Sequence, residues 1–417
     1  MKKLQGLGAS AAIYFASNIA SAMVPFALLP ILTRVLGPQE YGYVTLFTIF
    51  CACATAIIGL GIGGAFTRQY YHLDKQQFRV FSGTSVLLIM GITLAAVTLF
   101  QPIALLYGDR LALPVLWINH AILSAGALAV CNAWLACTQV RSRPWHYGLF
   151  QVSMTLVNVG VSVLLVVSLD MRGMGRVLGQ TAAFFVFALI AIYSLWRSGW
   201  LVFSLDRGYL RWLLLFGLPI IPHSISGVII SMSDRMVLAH LESASTLGIY
   251  AVAAQVSMIM AMAVDSLNKA YVPWLYSRLA LDQASVRSSL VGFSYLYFAL
   301  VLVAAGVLSV LLPPFIVHLA GPEYAAAKNY VPWLLFAGAF TGMYYMVGLY
   351  INYAARNKFL SYASGATAIF MPACCYVLIQ INGSLGAAQG AFLGQVTLFI
   401  LTWFFSARAY PMPWFGK

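Results

Sequence analysis

Runs of about 20 apolar residues recur along the whole chain, separated by short polar segments. An α-helix rises 1.5 Å per residue, so each run is long enough to cross a hydrocarbon layer of about 30 Å. The pattern predicts twelve membrane-spanning helices, at 11–33, 43–63, 81–106, 114–138, 147–169, 177–196, 212–232, 246–264, 290–312, 330–351, 360–381 and 386–406. Strand-length alternation of apolar and polar positions is absent, which excludes a β-barrel. The polar segments between spans are too short for a soluble domain, and an even number of spans puts both termini on one side.

The stretch from Pro25 to Tyr43 carries the sharpest local signal. Span 1 contains Pro25 and Pro30 and runs into Thr33, Arg34, Val35, Leu36, Gly37, Pro38, Gln39, Glu40, Tyr41 and Gly42. A second apolar run begins at once, so this segment reads as a tight, charged corner between two spans. An arginine at the mouth of a membrane helix is costly unless it snorkels, pairs, or faces water inside the protein. Arg34 is therefore either an interface anchor or part of a ligand path. Pro219 and Pro222 mark span 7 as Pro25 and Pro30 mark span 1, and both leading helices are expected to kink.

Composition agrees with the pattern. The 417 residues are 62% hydrophobic and 8% charged, too little charge to present a water-facing surface, and the mean hydropathy is +0.88. The net charge of +13 comes from basic residues scattered over short loops, which is unlike a nucleic-acid-binding patch. When the termini are placed in the cytoplasm, 17 of the 23 Lys and Arg residues fall on that side. The positive-inside rule thus fixes the expected orientation. Lys2 and Lys3 precede an apolar run through Ala20, Ser21 and Ala22 that continues to Leu32, which reads as an uncleaved first span. All six cysteines lie inside apolar runs, where a thiol behaves as a small hydrophobe, so neither a disulfide framework nor a metal site is expected.

The two halves read as a parallel repeat, with an N-terminal lobe at 1–205 and a C-terminal lobe at 206–417. The segment 197–211, with Trp200, Phe203 and Arg211, is the interfacial linker between them. Arg34 near the outer end of span 1 has a counterpart in Asp234 and Arg235 near the outer end of span 7. Gly108 and Asp109 after span 3 correspond to Gly321, Pro322 and Glu323 after span 9. The predicted fold is an all-α polytopic membrane protein of two six-helix lobes around a central cavity, where a ligand path would lie.

Candidate chemistry is sparse. Arg34 and Arg235 suit an anionic head group, because guanidinium forks match phosphate oxygens; the alternative is interfacial anchoring, with Arg235 balanced by Asp234. Asp265 and Lys269, four apart at the inner end of span 8, are a candidate coupling pair or a simple helical ion pair. Pro25 and Pro219 are candidate hinges for gating. Asn18, Asn132, Gln151, Asn158, Gln255, Asn268 and Asn352 either line a watery interior or bridge helices. His223 beside Pro222 caps freed backbone groups or switches protonation. The tyrosines and tryptophans form an aromatic belt, and aromatics also stack on sugars. No Gly-rich phosphate loop and no close pair of acids within a span is present, so neither ATP hydrolysis nor glycosyl-transfer chemistry is expected. Transport remains, with no catalytic residue, metal or cofactor.

The corner Thr33 to Gly42, the set Asp234, Arg235, Leu247, Gly248, Ile249, Tyr250 and Ala251, and the run Gly321, Pro322, Glu323 and Tyr324 resemble the signatures of Wzx-type O-antigen flippases. These belong to the multidrug/oligosaccharidyl-lipid/polysaccharide (MOP) exporter superfamily. The resemblance covers essentially the whole chain. It implies translocation of an undecaprenyl-diphosphate-linked oligosaccharide from the inner to the outer leaflet of a bacterial inner membrane, by alternating access of two lobes around a cationic cavity. It also implies substrate contacts from Arg34 and Arg235, a proton or sodium gradient as the driving force, and a polysaccharide polymerase and chain-length regulator as partners besides the lipids. The rival readings are a multidrug antiporter of the same superfamily and a non-transporting scaffold of a polysaccharide-synthesis complex.

Overall fold

The structure is a computed structural model that describes residues 2–107, 113–281 and 283–414. Gly108, Asp109 and Arg110 lie outside the described residues, as do the side chains of Lys2, Lys3 and Pro25. Every regular element among the described residues is helical: α1 (Lys2–Ile58), α2 (Ile62–Tyr70), α3 (Lys75–Tyr107), α4 (Val115–Val140), α5 (Pro144–Val163, prolonged by a π turn, Leu164–Ser168), α6 (Arg172–Arg197), α7 (Arg207–Gly217), α8 (Ile220–Leu241), α9 (Ala244–Leu279), α10 (Ala284–Leu311), α11 (Ile316–Ala320), α12 (Val331–Tyr353), α13 (Lys358–Asn382) and α14 (Leu385–Ala409), with short 3₁₀ turns around α11.

Ten of the described helices are long and apolar enough to cross a membrane, or eleven when α7 and α8 count as one broken span. The difference from the expected twelve lies at the first corner. There α1 is continuous by hydrogen bonding but broken at Gly37, whose φ of 69° and ψ of 171° are not helical. Glycine reaches this conformation without a Cβ clash, and Pro38 fixes the exit from it. The interruption therefore falls at Gly37, and the backbone of α1 stays helical through Pro25 and Pro30. In span 7 the expected kink is present: α7 and α8 meet at 41° across Leu218 and Pro219.

Two expected loops are largely helical. The 65–80 segment shrinks to a turn closed by a reciprocal cap, in which Asp74 Oδ1 accepts from the Gln77 amide (2.8 Å) and Gln77 Oε1 accepts from the Asp74 amide (3.2 Å). The 265–289 segment is mostly the continuation of α9, whose 36 residues reach well beyond one bilayer crossing. Hydropathy marks where a helix leaves the hydrocarbon, whereas its end is set by caps such as Ser243 at the start of α9, which accepts from the Thr246 amide at 3.1 Å.

The chain forms two units, residues 1–225 and 226–417. In the first, one end gathers the 198–206 segment against α3: the Val202 amide donates to the Arg79 carbonyl (3.2 Å) and Thr84 Oγ1 to the Ser204 carbonyl (3.0 Å). Trp200 lies there between two cations, Arg141 at 4.6 Å and Lys75 at 5.4 Å from its ring, and Arg68 lies 5.8 Å from Trp212. Beneath them Phe66, Phe78 and Phe81 are fully buried. The ends of α2, α4 and α6 and the start of α3 thus share one basic, tryptophan-rich end.

The second unit has the same kind of end. Tyr276 of α9 meets Tyr353 of α12 (5.3 Å), Tyr350 stacks on Tyr410, and Arg287 of α10 lies 5.2 Å from the Tyr410 ring. Arg356 Nη1 donates to the Arg408 carbonyl at 3.3 Å. Within each unit several of the cations that the sequence assigns to one face lie close together.

Candidate functional site

At the opposite end of the first unit, the charged corner is fastened to α6. Glu40 Oε2 accepts from the Gly173 amide at 3.2 Å, in the first turn of that helix. Free N–H groups and the helix dipole favour a carboxylate there. Tyr43 meets Trp117 edge-on at 6.5 Å, tying the corner to α4 as well. Thr33 is buried and donates to the Leu29 carbonyl (2.8 Å), while Arg34 is exposed on the surface of this unit.

One turn further along α6, Arg176 is held entirely by neutral acceptors. Its Nη1 donates to Asn158 Oδ1 (2.6 Å) and to Ser162 Oγ (2.8 Å), and its Nη2 donates to Gln180 Oε1 (3.2 Å). Gln180 Nε2 in turn donates to Cys51 Sγ at 3.8 Å, linking α5, α6 and α1. Among the described residues no carboxylate forms an ion pair with this guanidinium. The arrangement holds a half-buried guanidinium without a direct carboxylate partner among the described residues, which suits an anionic guest. Sequence reasoning placed Arg176 in a loop. The signal that was available is the pair of i, i+4 polar repeats, Asn158 with Ser162 and Arg176 with Gln180, which give α5 and α6 matching polar faces.

In the second unit, Asp234 on α8 is buried, at 4% exposure. Its Oδ2 accepts from the Tyr250 hydroxyl of α9 at 2.6 Å, and its Oδ1 accepts from the Arg235 amide at 2.8 Å. Tyr250 is itself fully buried and packs on Tyr330 (5.3 Å), whose hydroxyl meets Ser384 Oγ at 2.7 Å. Arg235 is half-buried and its Nη1 donates to the Ser231 carbonyl (3.3 Å). Among the described residues the two neighbours form no ion pair, so Asp234 answers to Tyr250 and does not neutralise Arg235 through a direct bridge.

The remaining candidates are placed as follows. Lys269 Nζ and Asp265 Oδ2 are 2.5 Å apart on α9, with side chains 53% and 43% exposed. Pro219 is exposed at the break between α7 and α8. Gln151 Nε2 donates to Asn18 Oδ1 at 3.0 Å, a bridge between α5 and α1. His223 is exposed. Arg34 belongs to the first unit and Arg235 to the second.

Long apolar helices in two units, each with a basic aromatic end and polar side chains held inside, define a multi-pass membrane protein. Comparison with solved structures agrees. An inward-facing multidrug resistance MATE family transporter of the MOP superfamily superposes with a TM-score of 0.72 at 14% identity, over 95% of this chain and 94% of that one. An outward-facing transporter of the same description gives 0.64 at 16% identity, over 96% and 94%. The chain belongs to the family described as "Polysaccharide biosynthesis protein", which matches residues 7–278. Two Haemophilus influenzae proteins are similar along most of their length. The Lsg locus protein 1 is 26% identical over 371 residues, 88% of this chain and 90% of that protein. An uncharacterized membrane protein is 25% identical over 360 residues, 84% and 85% respectively.

Proposed function

We propose that this protein is a flippase that moves an undecaprenyl-diphosphate-linked oligosaccharide, an O-antigen or related surface-polysaccharide repeat unit, from the cytoplasmic to the periplasmic leaflet of a bacterial inner membrane. The observation that carries the proposal is the union of a transporter fold with a polysaccharide-biosynthesis family in one chain. A diphosphate and several sugars cannot cross hydrocarbon unaided, whereas the polyprenyl tail can stay in lipid while the head passes through a polar path. Arg34 and Arg235 are proposed to contact the diphosphate or acidic sugars, and Arg176 adds a third cation suited to the same task. Asp234, or the Asp265–Lys269 pair, is proposed to couple the cycle to a proton or sodium gradient, with Pro25 and Pro219 near the moving segments. Both termini are proposed to face the cytoplasm. A polymerase and a chain-length regulator are its proposed partners.

The test is the lipid-linked glycan pool of cells lacking the protein, resolved by mass spectrometry beside surface polysaccharide. One complete repeat unit should accumulate on the lipid while surface polymer is lost. An unchanged pool with intact polymer would rule the proposal out.

A further inference from the structure

The second unit contains a cavity of about 300 Å³ between α9, α10 and α12. Its walls include Asn268, Tyr271, Trp274, Phe293, Tyr297 and Met346, and Gly342 lets Val264 and Tyr297 pack closely against α12 beside it. A Cβ at Gly342 would lie 2.8 Å from the Tyr297 hydroxyl and 2.7 Å from Val264 Cγ1. Tyr271 and Phe293 stack at 5.3 Å with planes 13° apart, and Trp274 adjoins both at 5.4 and 5.6 Å. The three rings make a near-continuous aromatic wall. Trp274 and Phe293 are 42% and 41% exposed, so the wall is open to a guest.

Two features select the guest. The Oδ1 atom of Asn268 is buried at this cavity without a hydrogen-bond partner. An acceptor shut away from water is unfavourable until a donor reaches it. The lining carries no charge, but Arg278 lies 5.8 Å from the Trp274 ring at its edge. A polyprenyl tail would gain little here, because bilayer lipid is as apolar as the wall. An organic cation would meet Arg278 already on the tryptophan. A sugar ring, with one C–H face for the aromatics and hydroxyls that donate, satisfies the wall and, once the Asn268 side chain turns into the cavity, its amide oxygen as well.

We propose that this cavity is a glycosyl-binding subsite, in which a sugar of the lipid-linked head stacks on Tyr271, Trp274 and Phe293 and donates a hydroxyl to Asn268 Oδ1, with the diphosphate outside, toward Arg278. The subsite rests on the flippase reading and adds to it the place where the glycan itself is read. It lies on the part of α9 that continues past the expected span, beside the basic end of the unit. A head group anchored at the membrane surface would reach that level before translocation.

The experiment compares two probes on the full-length protein in nanodiscs: the lipid-linked oligosaccharide fraction extracted from cells lacking the protein, and undecaprenyl diphosphate with no sugar. Asn268→Ala and Phe293→Leu should each weaken binding of the glycosylated probe by about tenfold, as loss of one hydrogen bond or stacking contact implies. Both variants should hold the bare diphosphate as the wild type does, which also shows that they are folded. Wild-type affinity of both variants for the glycosylated probe would overturn the subsite, as would an equal loss for both probes, which would mark a lipid or diphosphate site. If the deleted cells yield no glycosylated lipid, the flippase reading falls first and the subsite falls with it.

Discussion

Arg176 in the first unit and Asp234 in the second are both held by hydrogen bonds between helices, and each is managed differently. Arg176 has three hydrogen bonds to neutral oxygens, so Arg176→Ala removes three charge-assisted bonds and leaves Asn158, Ser162 and Gln180 without their shared donor. Such bonds contribute about 1.5–3 kcal/mol each, and partial relaxation should leave a net loss of about 2–4 kcal/mol. The check is thermal unfolding of the purified protein in detergent; an unshifted transition would contradict the contacts described. Asp234 is held by the Tyr250 hydroxyl. Tyr250→Phe leaves that carboxylate oxygen without its donor and should destabilise by about 1–3 kcal/mol, whereas Asp234→Asn keeps an acceptor for the hydroxyl and should unfold close to wild type. If Asp234 carries the coupling proton, the Asn variant should fold yet lose the gradient dependence of translocation. Full gradient dependence in that variant would remove Asp234 from the coupling role.

At the scale of elements, the spans and the first corner were legible in the sequence because both are written in apolar length and in Gly37–Pro38. The ends of helices were not. The α9 extension holds charged and aromatic residues that hydropathy reads as loop, yet the Asp265–Lys269 spacing and the absence of a breaker until Pro273 let it stay helical. The Arg176 network was missed for a related reason: four residues into α6, it sits where a window of hydropathy still sees loop. The closest approach of the linker to α3 was also invisible. A Cβ at Gly83 would lie 1.8 Å from the Val202 carbonyl oxygen, a backbone atom that cannot swing aside. Gly83→Val should therefore displace the 198–206 segment and strip Trp200 from Lys75 and Arg141. Limited proteolysis should show faster cleavage within 198–206 than in the wild type, and unaltered cleavage would contradict this packing.

For the whole molecule, Arg141 lies on Trp200 in the first unit, and Arg287 and Arg356 lie against Tyr410 and the Arg408 carbonyl in the second. The family is one of polysaccharide biosynthesis, and the fold is shared with solved transporters. The flippase reading requires that this chain alone carry a lipid-linked glycan across a bilayer. Its most direct test is translocation in proteoliposomes holding the purified protein and the lipid-linked oligosaccharide, followed by the access of an added lectin or glycosidase to the glycan. Wild-type protein should empty the protected leaflet when a proton or sodium gradient is applied, and Arg34→Gln and Arg235→Gln should do so slowly or not at all despite normal incorporation. A protected fraction that stays constant with wild-type protein under either gradient would contradict the flippase reading.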